Sequence, residues 1–415
     1  MKRFGDGRDW FFNKKFGLFV HWGLYAIPAW QEQVLWRSPY KRRDYERLVS
    51  EFNPGNFSPE QWLDTMQEAG MEHLCFTTKH HDGFCMWDTK YTEYNVMNTP
   101  YGKDVVGQLA EACARRGVLF GLYYSLPDWH HPAYPNRGMH HEMLGFRSGE
   151  RMDEHEYLEY VRNQVRELLT NYGPIHEFFW DVNVEEFSDP TFNEMIRTLQ
   201  PNAVINDRGP SAGDFTTPER QVPEGKEFDH PVQACDSIGR ESWGYRTDED
   251  YYNSRHLMRS MDKILAMGGG YLLNVGPKAD GSFPVECTER LTEIGSWYNS
   301  VRESFEETYP ASYLLTSGQT RLIRYDDLYL TRRENTVYIH CADGLQTGAV
   351  VLPGISAEPE EVLLLNDGSS LQWSVETLPW RWTEKPCLVI RGVPVECNLN
   401  GTPVIRIKLA DSNFD

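Results

Sequence analysis

Along the first three-quarters of the chain, short apolar runs alternate with stretches whose apolar residues recur at helical spacing. The runs are apolar at consecutive positions, which is typical of strands covered on both faces of a parallel sheet. This pattern predicts strands at 16–22, 72–80, 118–125, 176–181, 203–207 and 269–276. Helices are predicted between them at 58–70, 104–117, 153–173 and 248–269.

Two predicted helices have residues at their ends that favour helix termini. Ser58 and Asp104 stand before the first turns, where a side-chain oxygen can accept from unpaired backbone N–H groups. Gly70 and Gly117 follow the last turns, where a left-handed residue closes a helix. Repeated strand–helix units of this kind indicate a parallel α/β fold.

Polar side chains stand where the predicted strands end. His21, His80, Asp181 and Asp207 each close an apolar run. In a barrel, the carboxyl ends of the strands open on one mouth, where catalytic sites are built. The pattern therefore predicts a catalytic (β/α)8-like, TIM-type barrel over residues 1–310.

After residue 310 the pattern changes to short alternating segments separated by polar turns. Period-2 alternation with closely spaced turns is typical of antiparallel sheets. We therefore expect a small C-terminal antiparallel β-sandwich over residues 311–415.

Aromatic residues are abundant, with 13 Trp, 22 Tyr and 20 Phe. Most aromatic side chains pack in protein cores, but sugar sites also use them because the apolar face of a pyranose stacks on a ring. The formal net charge of −20 would repel nucleic acid and anionic membrane surfaces, so neither is an expected partner.

The eight cysteines occur singly, without the spacing of a disulfide framework or a zinc site. No apolar run is long enough to predict a membrane span, and the N-terminal residues lack the apolar segment of a signal peptide. We therefore expect reduced cysteines and a cytoplasmic location, with a secreted form that has lost its leader as the alternative. A homo-oligomer is compatible with the sequence.

Asp181 is the first candidate catalytic residue, because it closes an aromatic strand. A carboxylate in that position would lie at the mouth of an apolar cleft, as one of the two carboxyl groups that glycoside hydrolysis needs. An Asp after a strand is equally typical of a turn or a helix cap, so the pattern alone leaves both interpretations open.

His80 and His81 directly follow one predicted strand, and His21 ends another. Hydrogen bonds to sugar hydroxyls are one interpretation, and structural histidines in turns are the other. Because adjacent strand residues point to opposite sides, a metal ion shared by His80 and His81 is not expected.

The second carboxyl group is harder to assign. Arg208 ends a further predicted strand, and a proline-containing segment with three glutamates follows it. The residue pattern does not choose among Glu219, Glu224 and Glu227 as the proton donor.

At these segments the sequence resembles the family 29 glycoside hydrolases, the α-L-fucosidases, from residue 10 to about residue 305 and through the segment that follows. Eight ordered motifs carry the resemblance: FGLFVHWG (16–23), KHHDGF (79–84), GLYYS (121–125), FWD (179–181), NDRG (206–209), DFTTPE (214–219), SWGY (242–245) and GGGYLLNVGPKADGSFP (268–284). Such an ordered set is far more specific than any single motif.

The resemblance implies a retaining mechanism through a covalent fucosyl-enzyme intermediate, without a metal or cofactor. It implies that Asp181 is the nucleophile and that Glu219 is the acid/base. It further implies sugar contacts at Phe19, His21, Trp36, His80, His81, Tyr124, Arg208 and Trp243.

Two positions depart from the family pattern. The family usually has Asp-Gly at the nucleophile, whereas this chain has Val182 and then Asn183 after Asp181. The family often has Glu-Trp where this chain has Leu35-Trp36, and Glu32 is a neighbouring carboxylate that could substitute.

The sequence therefore predicts an exo-acting glycoside hydrolase whose substrate is a fucosylated oligosaccharide or glycoside. One alternative is a glycosidase for another fucose- or galactose-configured sugar, and another is a non-catalytic carbohydrate-binding protein on the same scaffold. A metal-dependent hydrolase on the same barrel is disfavoured, because the first strand does not end in an HxH pattern.

Overall fold

The computed structural model describes residues 1–135, 152–182, 187–316, 328–353, 355–379, 386–395 and 401–410. Its first sheet consists of β1 Phe16–Val20, β2 His73–Lys79, β3 Leu119–Ser125, β4 Glu177–Asp181, β5 Val204–Ile205, β6 Gln233–Ser237 and β7 Gly270–Val275. The α-helices are α1 Trp10–Asn13, α2 Val34–Arg37, α3 Arg42–Glu46, α4 Pro59–Glu68, α5 Val105–Arg116, α6 Glu154–Asn171, α7 Thr191–Leu199, α8 Ser254–Ala266, α9 Val285–Val301 and α10 Tyr313–Thr316.

The helix termini follow the capping residues that the sequence indicates. The Ser58 and Asp104 side chains accept backbone hydrogen bonds from the first turns of α4 and α5. Gly117 closes α5 in the left-handed conformation, with φ at 66°. The helix predicted at 248–269 is shorter in the structure, because α8 begins only after its Asn253 cap.

The first sheet is parallel throughout and has the strand order β5-β4-β3-β2-β1-β7-β6. Its two edges are joined by residues 215–219, here called the seam segment. Phe215 is bridged to Asn206 after β5, and Glu219 is bridged to Cys235 in β6. The seam segment therefore closes the curled sheet, and the predicted parallel α/β barrel is confirmed.

One strand of the barrel escapes the sequence pattern. Strand β6 contains Gln233, Asp236 and Ser237 beside only two small apolar residues, yet all five residues are buried. Its polar side chains find hydrogen-bond partners on other strands of the barrel, and the Asp236 carboxylate accepts from the Tyr271 hydroxyl of β7 at 3.3 Å. Ser237, for example, accepts from the Asn274 side chain of β7 at 3.0 Å.

Two antiparallel sheets follow the barrel. Their strands are β8 Tyr309–Pro310, β9 Tyr329–Arg333, β10 Thr336–His340, β11 Ala349–Leu352, β12 Pro359–Leu364, β13 Ser369–Ser370, β14 Gln372–Glu376, β15 Cys387–Arg391 and β16 Val404–Leu409. The sheet orders are β13-β12-β16-β10-β9-β8 and β11-β15-β14. Apolar residues from both sheets, among them Ile339, Leu388 and Ile405, form one core, which confirms the predicted β-sandwich.

A buried polar contact joins the sandwich to the barrel. Asp262 of α8 and His340 of β10 are both fully buried, and the carboxylate lies 2.7 Å from the imidazole Nδ1. The second carboxylate oxygen accepts from the Thr402 hydroxyl at 2.7 Å. Because unpaired polar atoms are costly in an interior, this network fixes how α8 and the six-stranded sheet pack together.

The inside of the barrel changes character along its axis. At the N-terminal end, the bulky side chains of His73 and Glu177 each lie against a glycine on a neighbouring strand. A Cβ atom on Gly17 would overlap the His73 ring, and one on Gly121 would lie 2.9 Å from the Glu177 Cβ. Nearer the mouth the interior is mainly apolar, with Phe19, Cys75, Tyr123, Phe179, Cys235 and Leu272 in contact.

The cysteines in the described parts of the chain are all buried, as the scattered single cysteines in the sequence indicate. Among the helices that the structure describes, none combines the length and the apolar character needed to cross a membrane.

Glu177 makes the stability of the barrel depend on pH. It is 1% exposed, neither carboxyl oxygen has a hydrogen-bond partner among the described residues, and burial raises its pKa to about 8. The unfolded chain releases this proton near the ordinary value of 4.5. Between these two values the folded protein holds one proton more, so the free energy of unfolding falls as pH rises.

We expect Glu177→Gln to remove this dependence. As pH rises through that window, the unfolding free energy of Glu177→Gln minus that of the parent should grow by roughly 1.4 kcal/mol per pH unit. Denaturant unfolding at several pH values measures it, with exposed Glu111→Gln as the control. Parallel pH profiles for parent and Glu177→Gln would contradict the assignment.

Candidate active site

A cavity of about 570 Å³ opens at the carboxyl ends of the barrel strands. Most of the residues that the sequence singles out line it: Phe19, His21, His80, His81, Asp181, Arg208, Glu219 and Trp243. Tyr123, Phe179, Glu32 and Arg220 line it as well. The cavity therefore combines aromatic walls with several carboxylates, and glycoside hydrolysis requires a pair of them.

Asp181, the last residue of β4, is surrounded by groups that stabilise its charge. Its Oδ2 accepts from the Tyr123 hydroxyl at 2.6 Å and lies 3.7 Å from His81 Nε2, and its Oδ1 accepts from Arg208 Nη1 at 3.3 Å. Burial alone would raise the pKa of Asp181. The charges of His81 and Arg208 and the Tyr123 hydrogen bond outweigh burial and hold that pKa below its ordinary value.

The proton on His81 is fixed by its neighbours. The Ser125 hydroxyl donates to the Pro127 carbonyl at 2.8 Å, so its oxygen accepts from His81 Nδ1–H at 2.6 Å. The charged ring carries a second proton on Nε2, which is thereby directed to the Asp181 carboxylate. The imidazole orients the carboxylate and is itself oriented by β3.

The adjacent His80 and His81 do not point to opposite sides, although adjacent residues of a strand would do so. Strand β2 ends at Lys79, so His80 and His81 lie in the turn beyond it, with ring centroids 4.2 Å apart. Together with Asp181 they place possible ligand atoms within 4.8 Å of one another. These side chains could hold a metal ion, but Asp181 already pairs with the Arg208 guanidinium, whose charge would oppose a cation there.

The turn after β2 is held in place by a buried ion pair. Lys79 Nζ lies 3.0 Å from Asp128 Oδ2, both side chains are almost fully buried, and the ammonium lies 4.3 Å from the Tyr124 ring centroid. The next residue, Trp129, donates its backbone N–H to the His81 carbonyl at 2.7 Å. Asp128 and Trp129, both in the loop after β3, thus hold the turn that carries the two histidines.

His21 is a neutral histidine, and one of its ring nitrogens is hydrogen-bonded to a barrel strand. Burial lowers its pKa to about 4, although the Glu32 charge and the Asn274 hydrogen bond oppose that effect. The Asn274 amide donates to the Trp243 carbonyl at 2.7 Å, so its oxygen accepts from His21 Nδ1–H at 2.7 Å. This arrangement leaves His21 Nε2 as an acceptor, and the ring lies 5.2 Å from Trp243.

Arg208 connects the two candidate carboxylates. Its Nη1 donates to Asp181 Oδ1 at 3.3 Å and to Glu219 Oε2 at 2.8 Å. Because both bonds end on one nitrogen, these two oxygens are at most about 6 Å apart, the two bond lengths laid end to end. The other two guanidinium nitrogens donate to Thr217, at its hydroxyl and its carbonyl.

Glu219 reaches the mouth because it ends the seam segment. The Pro218 carbonyl accepts from Cys235 N at 2.9 Å, which ties this end of the seam to β6. The other two candidates, Glu224 and Glu227, line a separate cavity with Lys15. The geometry therefore brings Glu219 to Asp181 and leaves the other two glutamates elsewhere.

Two predicted sugar contacts lie outside the described lining of the cavity. Tyr124 is fully buried on the helix side of β3, where its hydroxyl donates to Gln164 at 2.7 Å, and Tyr123 points inward in its place. Trp36 lies beside the cavity with its ring 6.3 Å from that of Trp129. The structure does not bring Tyr124 to the cavity, because an aromatic pair in a doubly covered strand does not reveal its inward member.

The two departures from the family pattern have structural counterparts. Val182 adopts φ of 54°, a left-handed conformation that favours glycine and is rare for a β-branched residue; Asn183 lies outside the described residues. Glu32 is 4% exposed, and its Oε2 accepts from the backbone N–H groups of Trp243 and Gly244 at 2.9 and 3.1 Å. Glu32 thus holds the backbone of the cavity wall.

The Tyr123 hydroxyl should set the titration of Asp181. Burial and the nearby carboxylate raise the pKa of Tyr123 well above its ordinary value, so the hydroxyl stays protonated and donates. We expect Tyr123→Phe to raise the pKa of Asp181, because one stabilising hydrogen bond to the charged form is lost.

Carboxyl NMR titration of aspartate-labelled protein measures this shift, with the resonance identified by its loss in Asp181→Asn. Tyr124→Phe is the matched control and should leave the titration unchanged, since its hydroxyl bonds to Gln164 instead. Equal titration of Asp181 in the parent, Tyr123→Phe and Tyr124→Phe would exclude the hydrogen bond from Tyr123 to Asp181.

Comparison with known proteins identifies the family of this chain. Residues 5–303 match the family model for α-L-fucosidase. The tissue α-L-fucosidase of Homo sapiens is 27% identical over 93% of this chain and 87% of its own, and the human plasma α-L-fucosidase is 28% identical over the same shares.

Solved structures give the same family. α-L-Fucosidase isoenzyme 1 of Paenibacillus thiaminolyticus has a TM-score of 0.81 at 31% identity, covering 98% of this chain and all of the other. A family 29 α-L-fucosidase of Bacteroides thetaiotaomicron, trapped as a covalent intermediate with 2-fluoro-fucosyl fluoride in a Glu-to-Gln mutant, has a TM-score of 0.79 at 25% identity over 98% and 97%. The chain thus belongs to the α-L-fucosidases of glycoside hydrolase family 29 and is a glycoside hydrolase.

Proposed function

We propose that this protein is a retaining exo-glycosidase that removes terminal α-L-fucose from oligosaccharides or glycosides by double displacement. The observation that carries the proposal is the single Arg208 nitrogen bonded to both Asp181 and Glu219. A buried carboxylate and a more exposed one both accept from this nitrogen, so they lie within reach of the same glycosidic bond.

The separation of the carboxylates supports retention. Retaining glycosidases hold their two carboxyl groups about 5–5.5 Å apart, whereas inverting enzymes leave about 6.5–9.5 Å for a water molecule. The limit of about 6 Å that Arg208 sets on one oxygen pair agrees with the retaining arrangement. The covalent intermediate trapped in the Bacteroides enzyme supports the same chemistry in this family.

In this mechanism Asp181 attacks the anomeric carbon while Glu219 protonates the departing oxygen. Asp181 suits the first role, because its low pKa keeps it ionised and β4 holds it rigidly. Glu219 suits the second, because its side chain is 41% exposed at the cavity mouth, where a departing group and water can reach it. In the second step Glu219 takes a proton from the water that attacks the glycosyl-enzyme.

The remaining cavity residues would bind the sugar. His21 offers an acceptor nitrogen to a hydroxyl, and His80 lies beside it with ring centroids 5.7 Å apart. Phe19 and Trp243, with ring centroids 6.1 Å apart, form an apolar wall suited to the methyl group of a 6-deoxysugar. Because the barrel interior closes the cavity behind this wall, a terminal residue fits better than one within a chain.

Replacement of Asp181 tests the nucleophile. We expect Asp181→Gly to lower turnover of an aryl α-L-fucoside by several orders of magnitude, because the first step has no other nucleophile. Sodium azide should partly restore turnover by occupying the vacated space, and the product should be a fucosyl azide of inverted configuration. Near-normal turnover in a folded Asp181→Gly protein would remove the assignment.

Replacement of Glu219 tests the acid. Glu219→Ala should slow a fucosylated oligosaccharide by about 10²–10⁴-fold, because its leaving group needs protonation. A 4-nitrophenyl α-L-fucoside, whose leaving group needs little protonation, should be slowed much less in the fucosylation step. Glu224→Ala is the matched control and should behave as the parent. Equal slowing of both substrates in Glu219→Ala would exclude Glu219 as the acid.

A further inference from the structure

Arg220 follows Glu219 directly and fixes where the seam segment ends. It is a non-glycine residue with φ of 51°, a conformation that costs energy and persists only when surrounding contacts impose it. One such contact is its own N–H, which donates to the Cys235 carbonyl at 2.9 Å. The chain therefore turns sharply just after the proposed acid, and the turn is tied to β6.

The Arg220 side chain uses this turn to reach a second loop, residues 239–244, here called the tryptophan loop. Its Nη1 donates to the carbonyls of Gly239 and Arg240 at 3.0 Å each, and its Nη2 donates to that of Ser242 at 3.2 Å. The guanidinium also lies over the Trp243 ring, 4.5 Å from its centroid. One side chain thus gathers the loop carbonyls and covers the aromatic ring that lines the cavity.

The tryptophan loop is held from its other side by Glu32. That carboxylate accepts from the Ser242 hydroxyl and from the N–H groups of Trp243 and Gly244. Glu32 binds the loop donors and Arg220 binds the loop acceptors. Of the two, only Arg220 is the direct neighbour of Glu219 in the chain. This difference allows the two anchors to be distinguished by experiment.

We propose that Arg220 is a positioning residue that couples the tryptophan loop to Glu219, so that sugar bound against Trp243 holds the acid at the scissile bond. The proposal rests on the function proposed above for Glu219. Glu219 is well exposed and bonded to Arg208, whereas Asp181 is fixed at the end of β4. Loss of Arg220 should therefore disturb proton donation while leaving the nucleophile in place.

Leaving-group dependence tests this coupling. In Arg220→Met, kcat/KM for a fucosylated oligosaccharide should fall by roughly tenfold to a hundredfold, part of the full effect of a general acid. For 4-nitrophenyl α-L-fucoside it should fall by less than about threefold, because that leaving group needs little protonation. A residue that merely supported the Trp243 wall would slow both substrates equally, and that result would overturn the proposal.

A double-variant cycle tests whether Arg220 acts through Glu219. In a Glu219→Ala background, Arg220→Met should cause no further selective loss on the oligosaccharide, because the group it positions is gone. Additive losses would contradict the coupling. If Glu219→Ala itself lacked leaving-group dependence, the proposed acid would be wrong; if it showed that dependence and Arg220→Met did not, only the coupling would fail.

Two further variants separate coupling from general damage. Glu32→Gln loosens the same loop without a link to Glu219, so it should change KM for both substrates alike. Arg115→Met, at an arginine of α5 that is 59% exposed and does not line the cavity, should leave both rates unchanged. Thermal midpoints are measured for all variants, and if Arg220→Met does not fold, Arg220→Lys must show the selective loss.

Discussion

Asp181 is a carboxylate that the protein almost encloses, and an ion in such a place is stable only if nearby groups replace the water it has lost. Those groups come from separate parts of the barrel: Tyr123 from β3, His81 from the turn after β2, and Arg208 from beyond β5. Their positions depend on the parallel register that places the carboxyl ends of these strands together. The charge of Asp181 is therefore a property of the whole barrel mouth, and a shift of one strand would leave a buried charge unpaired.

The same guanidinium links stability to mechanism. Arg208 pairs with Asp181 and also donates to Glu219, so one guanidinium holds both carboxyl groups in the resting site. In the proposed mechanism, Glu219 must leave or weaken that contact to give a proton to a departing oxygen. The site thus combines one fixed carboxylate with one that is held by contacts it can exchange, which suits a nucleophile and a proton carrier respectively.

Much of this could be predicted from the sequence, because local patterns determine it. Doubly apolar runs predict strands, and Ser58, Asp104 and Gly117 mark helix ends through hydrogen bonds made within a few residues. What could not be predicted depends on contacts distant in the chain. Strand β6 is polar because its buried side chains bond to other strands. Tyr123 and Tyr124 differ only in the side they face, and Arg220 and Glu32 meet the tryptophan loop only in the folded protein. The ordered motifs indicate the family, but a single sequence does not reveal these partners.

The seam segment has a consequence for how such enzymes diversify. Six of the seven regular strands have at least four residues, whereas the seam joins β5 and β6 through isolated bridges and a few backbone hydrogen bonds. Irregular connections tolerate insertions and deletions better than strands do, because fewer ladder hydrogen bonds are lost. Asp181 belongs to a strand whose length cannot change without breaking the register, but Glu219 belongs to the seam. Over evolutionary time the barrel can therefore move the proposed proton donor from one position to another while the proposed nucleophile stays where it is.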